Sequence, residues 1–200
     1  MRRRQIHYRV VLISLLGVLL VQGCAYLQHE TQEHPIAITE RDAALLHPRS
    51  RYVSHHRHLS TEESRRINER LGHEATRPDE LIGYYAVTRW PKRPTGETGT
   101  VFLEPVRTEH GTLSLLVSVK DGVPQRLAVK DGPSAAAVTH EFLDQFLGRD
   151  LDHSYEVGRD PDAFHRVPSP LAPIEGRWEL SQRIAEAVRK ILVIAEALGV

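Results

Sequence analysis

Cysteine occurs once in this sequence, at Cys24, so no disulfide can form within the chain and no cysteine-rich zinc site can be built. Neither charge is in excess, with 26 basic and 26 acidic residues, and no basic stretch marks a phosphate-binding surface. That balance excludes nucleic acid as the partner. No apolar run reaches the roughly 20 residues that a helix needs to cross a bilayer core. The longest, Val10 to Val21, is interrupted by Ser14 and Gly17. No internal repeat is visible, nor any Ser-His-Asp order or paired-carboxylate spacing, and His110, His140, His153 and His165 are scattered. No catalytic residue is therefore assigned, and catalysis by the chain's own side chains has little support.

The N-terminus does carry a pattern. Arg2, Arg3, Arg4 and Arg9 precede the apolar run, and Val21-Gln22-Gly23-Cys24 closes it with small residues. A charged region, an apolar region and a small-residue end make a secretory signal peptide. Gly23-Cys24 resembles the lipobox of bacterial lipoproteins, which implies cleavage after residue 23 and acylation of the Cys24 thiol. Each buried methylene adds about 0.8 kcal/mol to membrane attachment, so two or three acyl chains hold almost permanently. Ala25 stands where an inner-membrane retention signal would place Asp, so the resemblance leans toward an outer-membrane lipoprotein facing the periplasm. Losing the four leader arginines leaves the mature chain four charges negative.

The expected organisation is a signal peptide over 1–23, a tether over 24–51 and one domain over 52–200. The tether is polar and broken by Pro35 and Pro48. Within it, Thr39 as cap with Asp42 at N3 has the spacing for a short helix to Leu46. Ser60-Thr61-Glu62-Glu63 is a capping box and predicts a helix to Leu71, ended by Gly72. Leu81–Trp90 and Thr100–Thr108 read as strands, with Pro105 implying an edge or a bulge in the second. Glu109-His110-Gly111 reads as a turn. Leu113–Lys120 and Val123–Lys130 flank Asp121-Gly122, the pair that a tight primed hairpin turn prefers. Ser134 is placed as the cap of a helix to Leu147, and Gly148 as its end. After a proline-rich loop from Asp160 to Pro173, the stripe Leu180, Ile184, Val188, Ile191, Leu192 and Ala195 predicts a long last helix over Glu179–Leu198. This order gives an α+β fold, an antiparallel sheet with a C-terminal helix packed on it.

From Ser60 onward the chain resembles the FMN-binding domain family found in peripheral flavin subunits of quinone and ferredoxin oxidoreductases and in regulators of nitrous oxide reduction. The capped helix, the hairpin region Gly111–Gly132 and Phe142-Leu143-Asp144-Gln145-Phe146-Leu147-Gly148-Arg149 carry the resemblance in order. In that family an aspartate leads into Ser/Thr-Gly-Ala-Thr at the start of a C-terminal helix, and the threonine is esterified to the FMN phosphate. Here Asp162-Ala163 is similar to the leading aspartate, and Phe164–Pro173 intervenes before Ile174-Glu175-Gly176-Arg177-Trp178-Glu179-Leu180-Ser181. Gly176 aligns with the motif glycine, Arg177 with the alanine, Trp178 with the threonine and Ser181 with a trailing hydroxyl. No threonine follows Thr139, so the covalent acceptor is missing.

The resemblance therefore implies FMN, where it is kept, held without a covalent bond. Gly176, Arg177, Trp178 and Ser181 would be its binding residues: amides and a guanidinium for the phosphate, an indole to stack on the isoalloxazine. The alternative is a degenerate domain that has lost flavin and serves as a protein-interaction module, docking through the loop 164–173. The same Trp178 then reads as a core residue at the helix start. His55-His56-Arg57-His58 puts His56 and His58 on one side of an extended chain, but a closed metal site needs further ligands, and none is assigned. The functional expectation is a lipid-anchored, exported flavoprotein-like domain in or beside membrane electron transport, with a redox or accessory protein as partner.

Overall fold

Three helices of the described residues start where a side-chain oxygen, at Thr39, Ser60 or Thr139, answers amides that the first turn leaves without partners, while the last helix has no side-chain cap. In the computed structural model, which describes residues 37–89, 97–159 and 170–200, α1 is Glu40–Leu46 and opens on a capping box. The Thr39 hydroxyl accepts from the Asp42 amide, and the Asp42 carboxylate accepts from the Thr39 amide at 2.8 Å. Helix α2, Thr61–Leu71, opens on the matching box at Ser60 and Glu63 and ends at Gly72. Both agree with the sequence.

Ser134 does not cap a helix. Gly132, at φ 123, presses the chain so close to the strand Gly111–Lys120 that a Cβ there would lie 2.7 Å from the Leu113 Cα. That approach turns the next residues into a 3₁₀ turn, Ala135–Ala137. The cap passes to Thr139, whose hydroxyl accepts from the Phe142 amide at 3.3 Å and starts the short α3, His140–Asp144. Phe142, Leu143 and Phe146 are buried as their spacing requires, and Gly148 closes the segment. The last helix, α4, is Trp178–Leu198, with all six predicted stripe residues buried.

Five strands form one antiparallel sheet in chain order: β1 Ser50–His58, β2 Leu81–Arg89, β3 Glu97–Thr108, β4 Gly111–Lys120 and β5 Val123–Asp131. Asp121 at φ 52 and Gly122 at φ 76 make the β4–β5 connection a two-residue turn with both centres left-handed, as Asp-Gly predicts. Pro105 lies in the middle strand, yet it meets no β2 rung. The β2–β3 ladder stops at Tyr85 opposite Val101, so this stretch of β3 is a local edge, paired only with β4. Across the opening the rings of Tyr84 and Phe102 pack with centroids 5.5 Å apart.

Strand β4 is buried continuously from Leu113 to Val119 because helices cover both faces of the sheet. On one face α2 and α4 close the main core around Leu115, Val117, Phe146 and Ile184. Lys190 joins α4 to Glu104 of β3 at 2.7 Å. On the other face α1 closes a smaller core of Ile38, Ala43 and Leu46 on Val87, Val101 and Leu116. Polar ties fix α1 there: Lys130 meets Asp42 at 2.9 Å, His47 meets the Ser118 hydroxyl at 2.7 Å, and Arg126 donates to the Leu46 carbonyl at 2.6 Å. Ala37–Val200 thus form one compact unit. Part of the segment expected to be tether packs on the sheet, since α1 carries its own apolar face and β1 starts at Ser50. The fold is α+β, with the C-terminal helix against an antiparallel sheet.

Candidate functional site

The first turn of α4 is held by hydrogen bonds that converge on the Ser181 side chain. The chain Ile174–Arg177 turns on itself, with the Arg177 amide donating to the Ile174 carbonyl at 2.9 Å and Gly176 at φ 67. The fully buried Ser181 hydroxyl accepts from the Ile174 amide at 2.9 Å and donates to the Arg177 carbonyl at 2.9 Å. It therefore pins the entering loop to the helix, and its oxygen already has both a donor and an acceptor. Upstream, Gln145 grips Ala172 from both sides, its oxygen accepting from the Ala172 amide at 2.7 Å and its nitrogen donating to the Ala172 carbonyl. Leu171 pairs with Val157 in a parallel bridge.

Trp178 is locked by its polar edge and by one face. Its indole N–H donates to the Val157 carbonyl at 3.0 Å, and the Arg159 guanidinium lies 5.0 Å from its ring centroid. A cation over an indole face is attractive by about 0.5–2 kcal/mol, more as it loses water. Arg183, one turn further along α4, donates to the Arg107 carbonyl at 3.1 Å.

Between these groups lies a cleft of about 300 Å³, lined by Gly176 and Arg177, by the first turn of α4 from Trp178 to Leu180 and by Arg183, together with Arg159, Thr108, Glu109 and Ser134. Three of the four sequence-predicted residues, Gly176, Arg177 and Trp178, share this cleft, and Ser181 sits behind it in the core. Arg159, Arg183, Glu109, Thr108 and Ser134 were not legible as neighbours. Arg183 alone had a signal, its place one turn beyond Glu179 on the same helical face. Asp162 and most of the loop 164–173 lie outside the described residues, as does Cys24.

A helix start leaves amides free, and here the Trp178, Glu179 and Leu180 amides occupy positions without intrahelical partners. Their partial positive charge and three guanidinium groups oppose the carboxylates of Glu109 and Glu179 on the rim. The donor set suits a phosphate, and the indole suits a planar ring. The volume lies at the lower limit for small-molecule pockets, which run from about 300 Å³ upward. A flat ring reaching the indole face would have to take the place of Arg159.

Elsewhere, His56 and His58 do share one side of β1. His55 instead stacks on Tyr84 at 5.1 Å, and His58 Nδ1 lies 2.9 Å from the Asp79 carbonyl oxygen. Among the described residues no cluster of three metal-ligating side chains occurs, and no helix is long and apolar enough to cross a membrane. Glu109-His110 form the expected turn between β3 and β4. Compared with known families and with curated proteins, the chain finds no matching family model and no matching relative.

Proposed function

We propose that this chain is an exported, lipid-anchored protein of the FMN-binding-domain type, acting in or beside membrane-associated electron transfer, with any FMN held non-covalently at the start of α4. One observation carries the reading: Gly176, Arg177 and Trp178, which the sequence resemblance singles out, line a single cleft with two further arginines. In that cleft the first-turn amides and Arg177 would hold the phosphate, and Arg183 would add charge at the rim. Trp178, fixed by Val157, would offer its face to the ring. Bound FMN would supply the redox chemistry through its isoalloxazine. The chain's own residues would bind it, orient it and limit its access to water.

A second reading is favoured by a different observation. Arg159 already covers the Trp178 ring, and the Ser181 hydroxyl is fully engaged, so the site is complete without a ligand. On this reading the domain is a flavin-free interaction module.

Titration calorimetry with FMN and riboflavin separates the two. Phosphate recognition predicts tighter binding of FMN than of riboflavin, and Arg177→Ala should erase most of that preference by removing a charge-assisted hydrogen bond of about 1.5–3 kcal/mol. Equal affinity for both ligands, or no heat at about millimolar concentration, would leave the interaction module standing.

A further inference from the structure

We infer that the outer surface of α1, with the basic residues beside it, lies against anionic lipid headgroups as a second hold on the membrane. The inference rests on the lipid-anchored reading for one premise, the position of Cys24. Residues 25–36 alone separate that cysteine from the compact unit that begins at Ala37, a length that spans at most about 40 Å even fully extended. The chain enters the unit beside α1, with Ile38 in the core that α1 covers, so on the lipid-anchored reading this is the face that needs the shortest tether to reach the bilayer.

That face has the chemistry for it. Asp42, Ala43 and Leu46 turn inward, which leaves Leu45 pointing outward at 60% exposure, the most exposed large apolar side chain among the described residues. Arg41 lies one helical turn before it and Arg49 just after the helix, both exposed. An apolar side chain between arginines matches the headgroup boundary, where leucine enters the acyl region and guanidinium groups meet phosphates. On the same side of the sheet lie Arg126 and Lys120, the latter next in the row after Leu116 and Ser118, which α1 covers. Asp42, the acid at the centre, is buried and neutralised by Lys130, and among the described residues Glu40, Asp121 and Asp131, opposite Ser114, are acids that oppose these cations. The mature chain as a whole is four charges negative, so this surface runs against the average.

The test uses the mature chain with Cys24→Ala, which cannot be acylated, and co-sedimentation with vesicles of phosphatidylcholine with or without phosphatidylglycerol. Binding should require phosphatidylglycerol and fade as salt rises, a result that needs no variant. Arg41→Gln and Arg49→Asn, the second chosen because Asn tolerates the φ of 64 there, should each lower partitioning about fivefold. Arg70→Gln removes the same charge from α2 on the opposite face and should change nothing. Equal binding to both vesicle types, or equal losses from all three variants, would overturn the surface. In parallel, labelling of the unmodified chain with a radioactive fatty acid tests the anchor. Label without vesicle binding overturns the surface alone, and vesicle binding without label sustains the surface and overturns the anchor.

Discussion

Ser181 shows how one hydroxyl can decide the shape of a site without entering it. Replacing it by Ala would leave the Ile174 amide without its acceptor, at a cost of about 1–3 kcal/mol. Thermal denaturation of Ser181→Ala should show that loss, and an unchanged midpoint would mean that the turn holds itself. His47 makes a prediction about pH. Burial, and then the charge of Arg126, push its imidazole below the usual value. The unfolded chain takes up a proton near pH 6.5 that the folded chain resists, so His47 costs nothing above that pH and lowers stability progressively as pH falls below it. Urea titrations between pH 7.5 and 5 should show this decline, and His47→Gln should flatten it. A variant that declines as steeply as the parent would place the effect elsewhere. Neither role could be read from the sequence, because Ile174, Ser118 and Arg126 become partners only after the chain has folded back.

Among the elements, those written in local chemistry were legible. The Ser60–Glu63 box, the Asp121-Gly122 turn and the 3.6-residue stripe from Leu180 to Ala195 each act within a few residues, and each element formed where its signal lay. Gly122→Val tests the hairpin directly. Open space surrounds that Cα, so any cost comes from forcing a β-branched residue to φ 76, about 1–2 kcal/mol or more. A melting temperature equal to that of the parent would contradict the turn. The helix placed at Ser134 was misread for the opposite reason. Ser134 and Thr139 both precede apolar residues, and the choice between them is made by the contact of Gly132 with β4, a strand twenty residues earlier in the chain. The candidate cleft sits between these cases. Its helix side was visible from Gly176 to Trp178, while its other lining residues Thr108, Ser134 and Arg159 come from the end of β3 and two separated loops.

Over the whole molecule, the two faces of the sheet are closed by segments from opposite ends of the chain. Helix α4 covers one with a long apolar stripe, and α1, with Ile38 just before it, covers the other with three apolar side chains and a set of polar ties. The larger layer was predictable from periodicity. In the smaller, the helix Glu40–Leu46 was legible from its cap at Thr39 and Asp42, but its place on the sheet was not, since its anchors Ser118, Arg126 and Lys130 lie far along the chain.

The early end of the β2–β3 ladder gives this sheet a seam. Of the ladder hydrogen bonds, opening it would break only the rungs from Tyr85 to Thr88, leaving β1–β2 and β3–β5 each paired within itself, while the small core under α1 and the Tyr84–Phe102 contact would part with them. Such a molecule should breathe in two parts. Under native conditions the amides of β4 should exchange with deuterium only through global unfolding, while those of α1, β1 and β2 should be released together at a lower free energy, as one cooperative unit. Uniform protection across all five strands would mean that the small core under α1 welds the seam shut. Otherwise the part of the fold that opens first is the part nearest Ala37, where the described chain begins, and a pull applied there would reach the cleft at α4 last.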